Sequence, residues 1–159
     1  MDVTIFGQDQ DIFYMQEAYK EAELAFEHNE VPVGAVVVDE FGTIIARGYN
    51  QVELRYSQVA HAEIEAINRA CQLKKNWRLT GCWLYVTLEP CMMCMGFIKL
   101  ARIAGVFYGA RSPLFGYKLD NKAVSSVYQD GVLIVGDLCQ QKIGDLMRRF
   151  FKKHRVRGG

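Results

Sequence analysis

The sequence predicts a layered α/β domain with helices on both faces of one sheet. Half of the 159 residues are hydrophobic, enough to build a proper core. Short β-branched or aromatic runs alternate with longer segments whose apolar residues recur every three or four positions. Three prolines, no internal repeat and no low-complexity linker make residues 1–159 read as one domain.

Asp9 and Asp11 offer N-caps for a first helix from about Asp11 to His28, with Met15, Ala18, Ala22 and Ala25 on its buried face. Val33–Val38 is a β-branched run, Asp39–Gly42 a turn signal, and Thr43–Tyr49 is extended again, which predicts a β-hairpin. A polar loop from Asn50 to Gln58 leads to His61, after which Ala62, Ile64, Ala66, Ile67 and Ala70 predict a second helix. Cys82–Leu88 reads as a buried strand, and Pro90 stops it and opens a third helix from Cys91 to about Arg102. Ala104–Tyr108 is a further strand. An irregular segment through about Ser125, a short apolar stretch near Val132–Val135 and a final helix complete the chain. Strands that alternate with helices in this order build a sheet covered on both sides.

No apolar run of eighteen residues occurs, and Met1-Asp2-Val3-Thr4 lacks the basic-then-apolar pattern of a secretory signal. A soluble protein of the cytoplasm with no membrane partner is expected. Cys71, Cys82, Cys91, Cys94 and Cys139 are odd in number and irregularly spaced, which favours free thiols and a metal site over a disulfide framework. The net charge of +1 conceals an asymmetry: residues 148–159 hold six of the nineteen basic residues and no acid. Such a helix end either lies solvated or meets a phosphate backbone, and Phe150 and Phe151 between the charges add stacking to the second option.

Cys91-Met-Met-Cys94 brings two sulfurs to one side of a helix start, where the dipole favours thiolates. Alone, C-x-x-C is open between zinc, a redox dithiol and chance. His61 at the start of another helix can complete a His/Cys/Cys set, which leaves a fourth zinc position for water, as a catalytic site requires. Cys71, Cys82 and Cys139 sit in apolar stretches and read as core residues. Glu63, two residues beyond His61, is placed to move a proton without ligating metal. His28 and His154 have no such company and read as surface residues.

His61-Ala-Glu63 with Pro90-Cys91-Met-Met-Cys94 is the H-x-E and P-C-x-x-C signature of zinc deaminases. Beyond it, the sequence resembles the bacterial tRNA adenosine deaminases. The likeness is carried by Val31-Pro-Val-Gly-Ala35, Ala46-Arg-Gly-Tyr-Asn50, Ala60-His-Ala-Glu-Ile64, Asn76-Trp-Arg-Leu79, Val86-Thr-Leu-Glu-Pro-Cys91 and Phe107-Tyr-Gly-Ala-Arg111. The resemblance implies a three-layer α/β/α, cytidine-deaminase-like fold with a central five-stranded mixed sheet. It also implies one zinc per subunit, held by His61, Cys91 and Cys94, and a homodimer in which both subunits shape the RNA site. The implied reaction converts the wobble adenosine of an arginine tRNA anticodon to inosine, with Glu63 protonating the ring nitrogen and then the departing amine.

Asn50, a turn asparagine by itself, would by the same resemblance hydrogen-bond the flipped base. The tail from Phe150 to Arg155 matches an aromatic and basic ending that lies against the anticodon, which makes Phe151 and Arg155 RNA contacts. The chain departs from the family at Ser112, Leu114 and Gly116-Tyr117, in a loop that shapes the substrate site and makes Ser112 a binding residue. It departs again over Tyr117–Gln129 and at Ser57-Gln58-Val59. A free-base deaminase would use the same zinc group, but the basic tail and the loop sequences favour RNA.

Overall fold

A computed structural model describes residues 5–117 and 131–157. Five strands form one mixed sheet: β1 (Gly34–Val38), β2 (Ile44–Tyr49), β3 (Trp83–Leu88), β4 (Gly105–Ala110) and β5 (Leu133–Val135). Their order is β2-β1-β3-β4-β5; β1 pairs antiparallel with β2 and β3, and the β3–β4 and β4–β5 pairs are parallel. Among the described residues the helices are α1 (Gln8–Glu27), α2 (Val52–Arg55), α3 (Ala62–Lys74), α4 (Met92–Leu100) and α5 (Gln140–Arg157). None is long and apolar enough to cross a membrane. Residues 118–130, which include the later part of the predicted irregular segment, lie outside the described residues.

The pleat divides each strand between two cores. Ala35 and Val37, Leu84 and Val86, and Val106 and Tyr108 face α3 and α4, where Ala66, Ile67, Ala70, Met95 and Ile98 meet them. Val36 and Val38, Trp83 and Tyr85, and Phe107 face α1 and α5, against Met15, Ala18, Ala22, Ile143 and Leu146. These are the three layers, and the buried helical faces are the ones the periodicity picks out. The hairpin turn is also as expected: Asp39 Oδ1 accepts from the N–H groups of Phe41 and Thr43.

Two features differ from the sequence reading. Helix α1 starts three residues early, so Asp9 and Asp11 lie in its first turn and Gly7 occupies the cap. Asp11 is turned inward instead and accepts a 2.5 Å hydrogen bond from Tyr85 of β3, a partner that local capping rules do not see. Within the polar loop from Asn50 to Gln58 stands the short helix α2. The buried Glu30 carboxylate holds it, accepting from the N–H groups of Glu53 and Leu54 at 3.1 and 2.7 Å.

Candidate active site

Parallel strand β3 ends at Leu88, and two residues later the chain turns into α4, which makes Cys91 the N-cap of that helix. His61 is the N-cap of α3. Both cap positions are extended in backbone, and neither side chain caps its own helix, so imidazole and thiol are free to face each other. The close packing of α3 on the sheet depends on Gly48 of β2, where a Cβ would meet the Ala62 carbonyl oxygen at 2.6 Å. The start of α3, which carries His61 and Glu63, is thereby pressed against the sheet at the level of Cys91.

His61 Nδ1 lies 3.7 Å from Cys91 Sγ and 3.5 Å from Cys94 Sγ. Tetrahedral zinc with bonds of ~2.3 Å to sulfur and ~2.0 Å to nitrogen sets that separation at about 3.5 Å. The three donors lie within 4.8 Å of one another and form the one such cluster among the described residues. Two sulfurs and an imidazole are also the donor types zinc takes. The other cysteines stand apart as free thiols, Cys82 buried and Cys71 and Cys139 half-buried.

The electrostatics favour a thiolate at Cys91. Hydrogen bonds from Cys94 and His61 bring the Cys91 thiol down to about 4. Cys94, which donates to Cys91 and is buried, is pushed up, and His61 is raised by its bond to Cys91. The two helix N-termini add positive potential at the same point. Glu63, 3 % exposed in the first turn of α3, is driven by burial up to about 7, where a carboxyl both gives and takes a proton near neutrality.

A cavity of about 1050 Å³ opens from the cluster, lined by His61, Glu63 and Cys91 and extending to α5. Asn50 and Ser112 are buried in its wall. Asn50 Nδ2 donates to the Val31 carbonyl at 3.2 Å, which leaves Oδ1 a buried acceptor with no partner among the described residues. Phe151 lines the cavity and is 43 % exposed, whereas Arg155, one helical turn further, is exposed and outside the lining.

Among the lining residues that sequence reasoning did not assign to the site, four stand out. Glu30 and Glu89 are buried carboxylates; Glu89 accepts from the Ser112 N–H at 3.2 Å and ties the 112–117 loop to the strand end before Cys91. Phe115 lies on that loop, and an aromatic in a Pro-x-x-Gly loop was the available signal. The surface reading of His154 is corrected: the ring is half-buried, its centroid 4.1 Å from that of Phe150, and Nε2 is buried without a partner among the described residues. It faces inward because it is four residues after Phe150, whose ring is in the core.

Fold and site together define a zinc-dependent deaminase. The chain belongs to the cytidine and deoxycytidylate deaminase family, whose zinc-binding region matches residues 8–110. The tRNA-specific adenosine deaminase of Bacillus subtilis (strain 168) is 41% identical over 148 residues, 92% of this chain and 91% of that protein. A solved structure from work on A-to-I editing by tRNA:A34 deaminases has 35% identity and a TM-score of 0.75, over 84% of this chain and 98% of the other. The solved guanine deaminase of Bacillus subtilis has 34% identity and a TM-score of 0.62, over 70% and 74% of the two chains.

Proposed function

We propose that this chain, as a single domain with a basic end at 148–159, deaminates the wobble adenosine of a tRNA anticodon, that of an arginine tRNA, to inosine. The observation that carries the reading is the reach of the cavity. It runs from the metal cluster to the aromatic and basic end of α5, a distance that a small free substrate has no use for. Names of relatives similar over nearly the whole chain point the same way.

His61, Cys91 and Cys94 would hold one zinc ion per subunit, which supplies a Lewis acid able to lower the pKa of water to ~7. Glu63 takes the proton from the attacking water as its oxygen bonds to adenine C6, and delivers it to the ring nitrogen. It then takes the proton of the new C6 hydroxyl, as that oxygen becomes the carbonyl, and passes it to the exocyclic amine, which leaves as ammonia; water and adenosine are consumed, inosine and ammonia formed. Asn50 Oδ1 accepts from an N–H of the flipped base, and Ser112 closes the pocket wall. Phe151 stacks at the rim, and Arg155, on the same helical face, meets phosphate.

The working form is a cytoplasmic homodimer. Leu54, Tyr56 and Val59 are 57%, 97% and 55% exposed beside the cavity-lining Val52, Glu53 and Gln58, an apolar surface suited to a second copy. The test offers zinc-loaded protein an anticodon stem-loop with wobble adenosine, and free adenosine, cytidine and guanine in parallel. Inosine in the stem-loop alone is expected. Turnover of a free base with the stem-loop untouched would overturn the substrate assignment and keep the metal site.

A further inference from the structure

Helix α2 has no core of its own. None of its four residues is buried, and four residues are too few for a helix to persist by itself. What fixes its start is a carboxylate. Glu30, 1% exposed, uses both oxygens on it, accepting from the Glu53 N–H at 3.1 Å and the Leu54 N–H at 2.7 Å. The exposed Arg55–Glu65 ion pair ties the other end to α3. Withdrawing a carboxylate from water is unfavourable, and beyond these two hydrogen bonds α2 buries nothing that would offset it. The contact therefore serves the placement of this segment and not the packing of a core.

Asn50 stands two residues before α2 and is gripped from the same stretch that carries Glu30. Its N–H donates to the Val33 carbonyl at 3.0 Å and its Nδ2 to the Val31 carbonyl at 3.2 Å. That stretch is itself anchored: the Glu30 N–H donates to the Ala25 carbonyl of α1 at 2.9 Å, and the Val33 N–H to the Val31 carbonyl at 2.8 Å. Further on, the Gln51 N–H donates to the Ala60 carbonyl at 2.9 Å, which closes the loop from Asn50 to the residue before His61. One buried side chain thus secures a loop that starts at Asn50, whose Oδ1 has no partner among the described residues. The loop runs on through the cavity-lining Val52, Glu53 and Gln58 to the imidazole of the metal cluster.

We infer that Glu30 is a positioning residue for the reaction: by clamping the first turn of α2 it holds Asn50 Oδ1 toward the cavity and so sets how the target base lies against Glu63. This rests on the reading that Asn50 receives the flipped base of an RNA. Glu30 acts on no reacting atom, since both of its oxygens are already engaged by backbone N–H groups. Its effect reaches the base through Asn50.

The test measures KM and kcat on the wobble-adenosine stem-loop for zinc-loaded wild type, Glu30→Gln, Asn50→Ala and the double variant. Gln keeps the size of the side chain but turns one acceptor into a donor that faces an N–H. Zinc content and thermal unfolding check that each variant folds, and Glu30→Asp, whose shorter stem cannot reach both N–H groups, takes the place of Glu30→Gln if that variant does not. The expected result is a KM about tenfold higher in Glu30→Gln with a smaller effect on kcat, and less than about twofold further change when the substitution is made in Asn50→Ala. An unchanged KM, or the full penalty in the Asn50→Ala background, overturns the role, because a residue that only supports the fold acts whether or not Asn50 is present. Amide exchange on the wild-type protein is an arm that needs no variant. The Glu53 and Leu54 N–H groups, which have no partner inside α2, should be protected, and free exchange at both overturns the clamp. A wild-type protein that leaves the stem-loop unedited while those amides stay protected strikes down the substrate reading, and the positioning role with it.

Discussion

Glu63 is the residue on which chemistry and stability meet. As the proposed proton carrier it should not be replaceable: Glu63→Gln is expected to lower turnover by about 10²–10⁴ or more while zinc stays bound, read by inosine yield against elemental analysis. An active Glu63→Gln enzyme would remove its role. Metal-free protein offers a second readout. The folded-state pKa of about 7 lies above the ordinary 4.5, so between those values the folded chain keeps a proton that the unfolded chain has released. That contribution is complete below pH 4.5 and is lost as pH rises through 7. Glu63→Gln, which cannot ionise, should therefore gain on wild type with rising pH, by about 3 kcal/mol at pH 8 and nothing near pH 4 in urea unfolding. A pH-independent difference would show that Glu63 is not held in the dry position described.

At the level of elements, the site is a consequence of how closely α3 approaches β2. Gly48→Ala would drive a Cβ into the Ala62 carbonyl and displace the first turn of α3, with His61 and Glu63 on it. A loss of about 1–3 kcal/mol in stability and weaker zinc retention against a chelator are expected. Unchanged zinc affinity would mean that the start of α3 is set by other interactions. The helices and strands themselves were legible in the sequence because each buries one periodic face, and His61, Glu63, Cys91 and Cys94 because they cluster at two helix starts with signature spacing. The α2 helix was not, since its stabilising carboxylate, Glu30, comes from 23 residues upstream. Asp11 was misread for the same reason: its partner Tyr85 is 74 residues away. His154 and Phe115 share one cavity only because α5 and the loop after β4 converge there, which no local pattern records.

For the whole molecule, the decisive feature is the continuity from a buried, metal-binding centre to an aromatic rim that borders the basic end of α5. Changing Lys152, Lys153 and Arg155 together to Ala should weaken stem-loop binding and flatten its salt dependence. The slope of log K against log salt should fall by about 0.7 for each single-strand phosphate that the tail no longer neutralises. An unchanged slope would place the tail away from RNA. Lys152, Lys153 and Arg155 are exposed, so these substitutions spare the buried Ile143, Leu146 and Phe150 and remove one contact, that of Lys153 Nζ 5.3 Å from the Phe26 ring. The central claim is that this cavity hydrolyses adenine C6 within RNA. Its most direct test is to run zinc-loaded protein on the wobble-adenosine stem-loop in ¹⁸O-labelled water and weigh the nucleosides after digestion. Inosine that carries one heavy oxygen for each adenosine consumed is the predicted result. Unconverted adenosine, or inosine without the label, would contradict it.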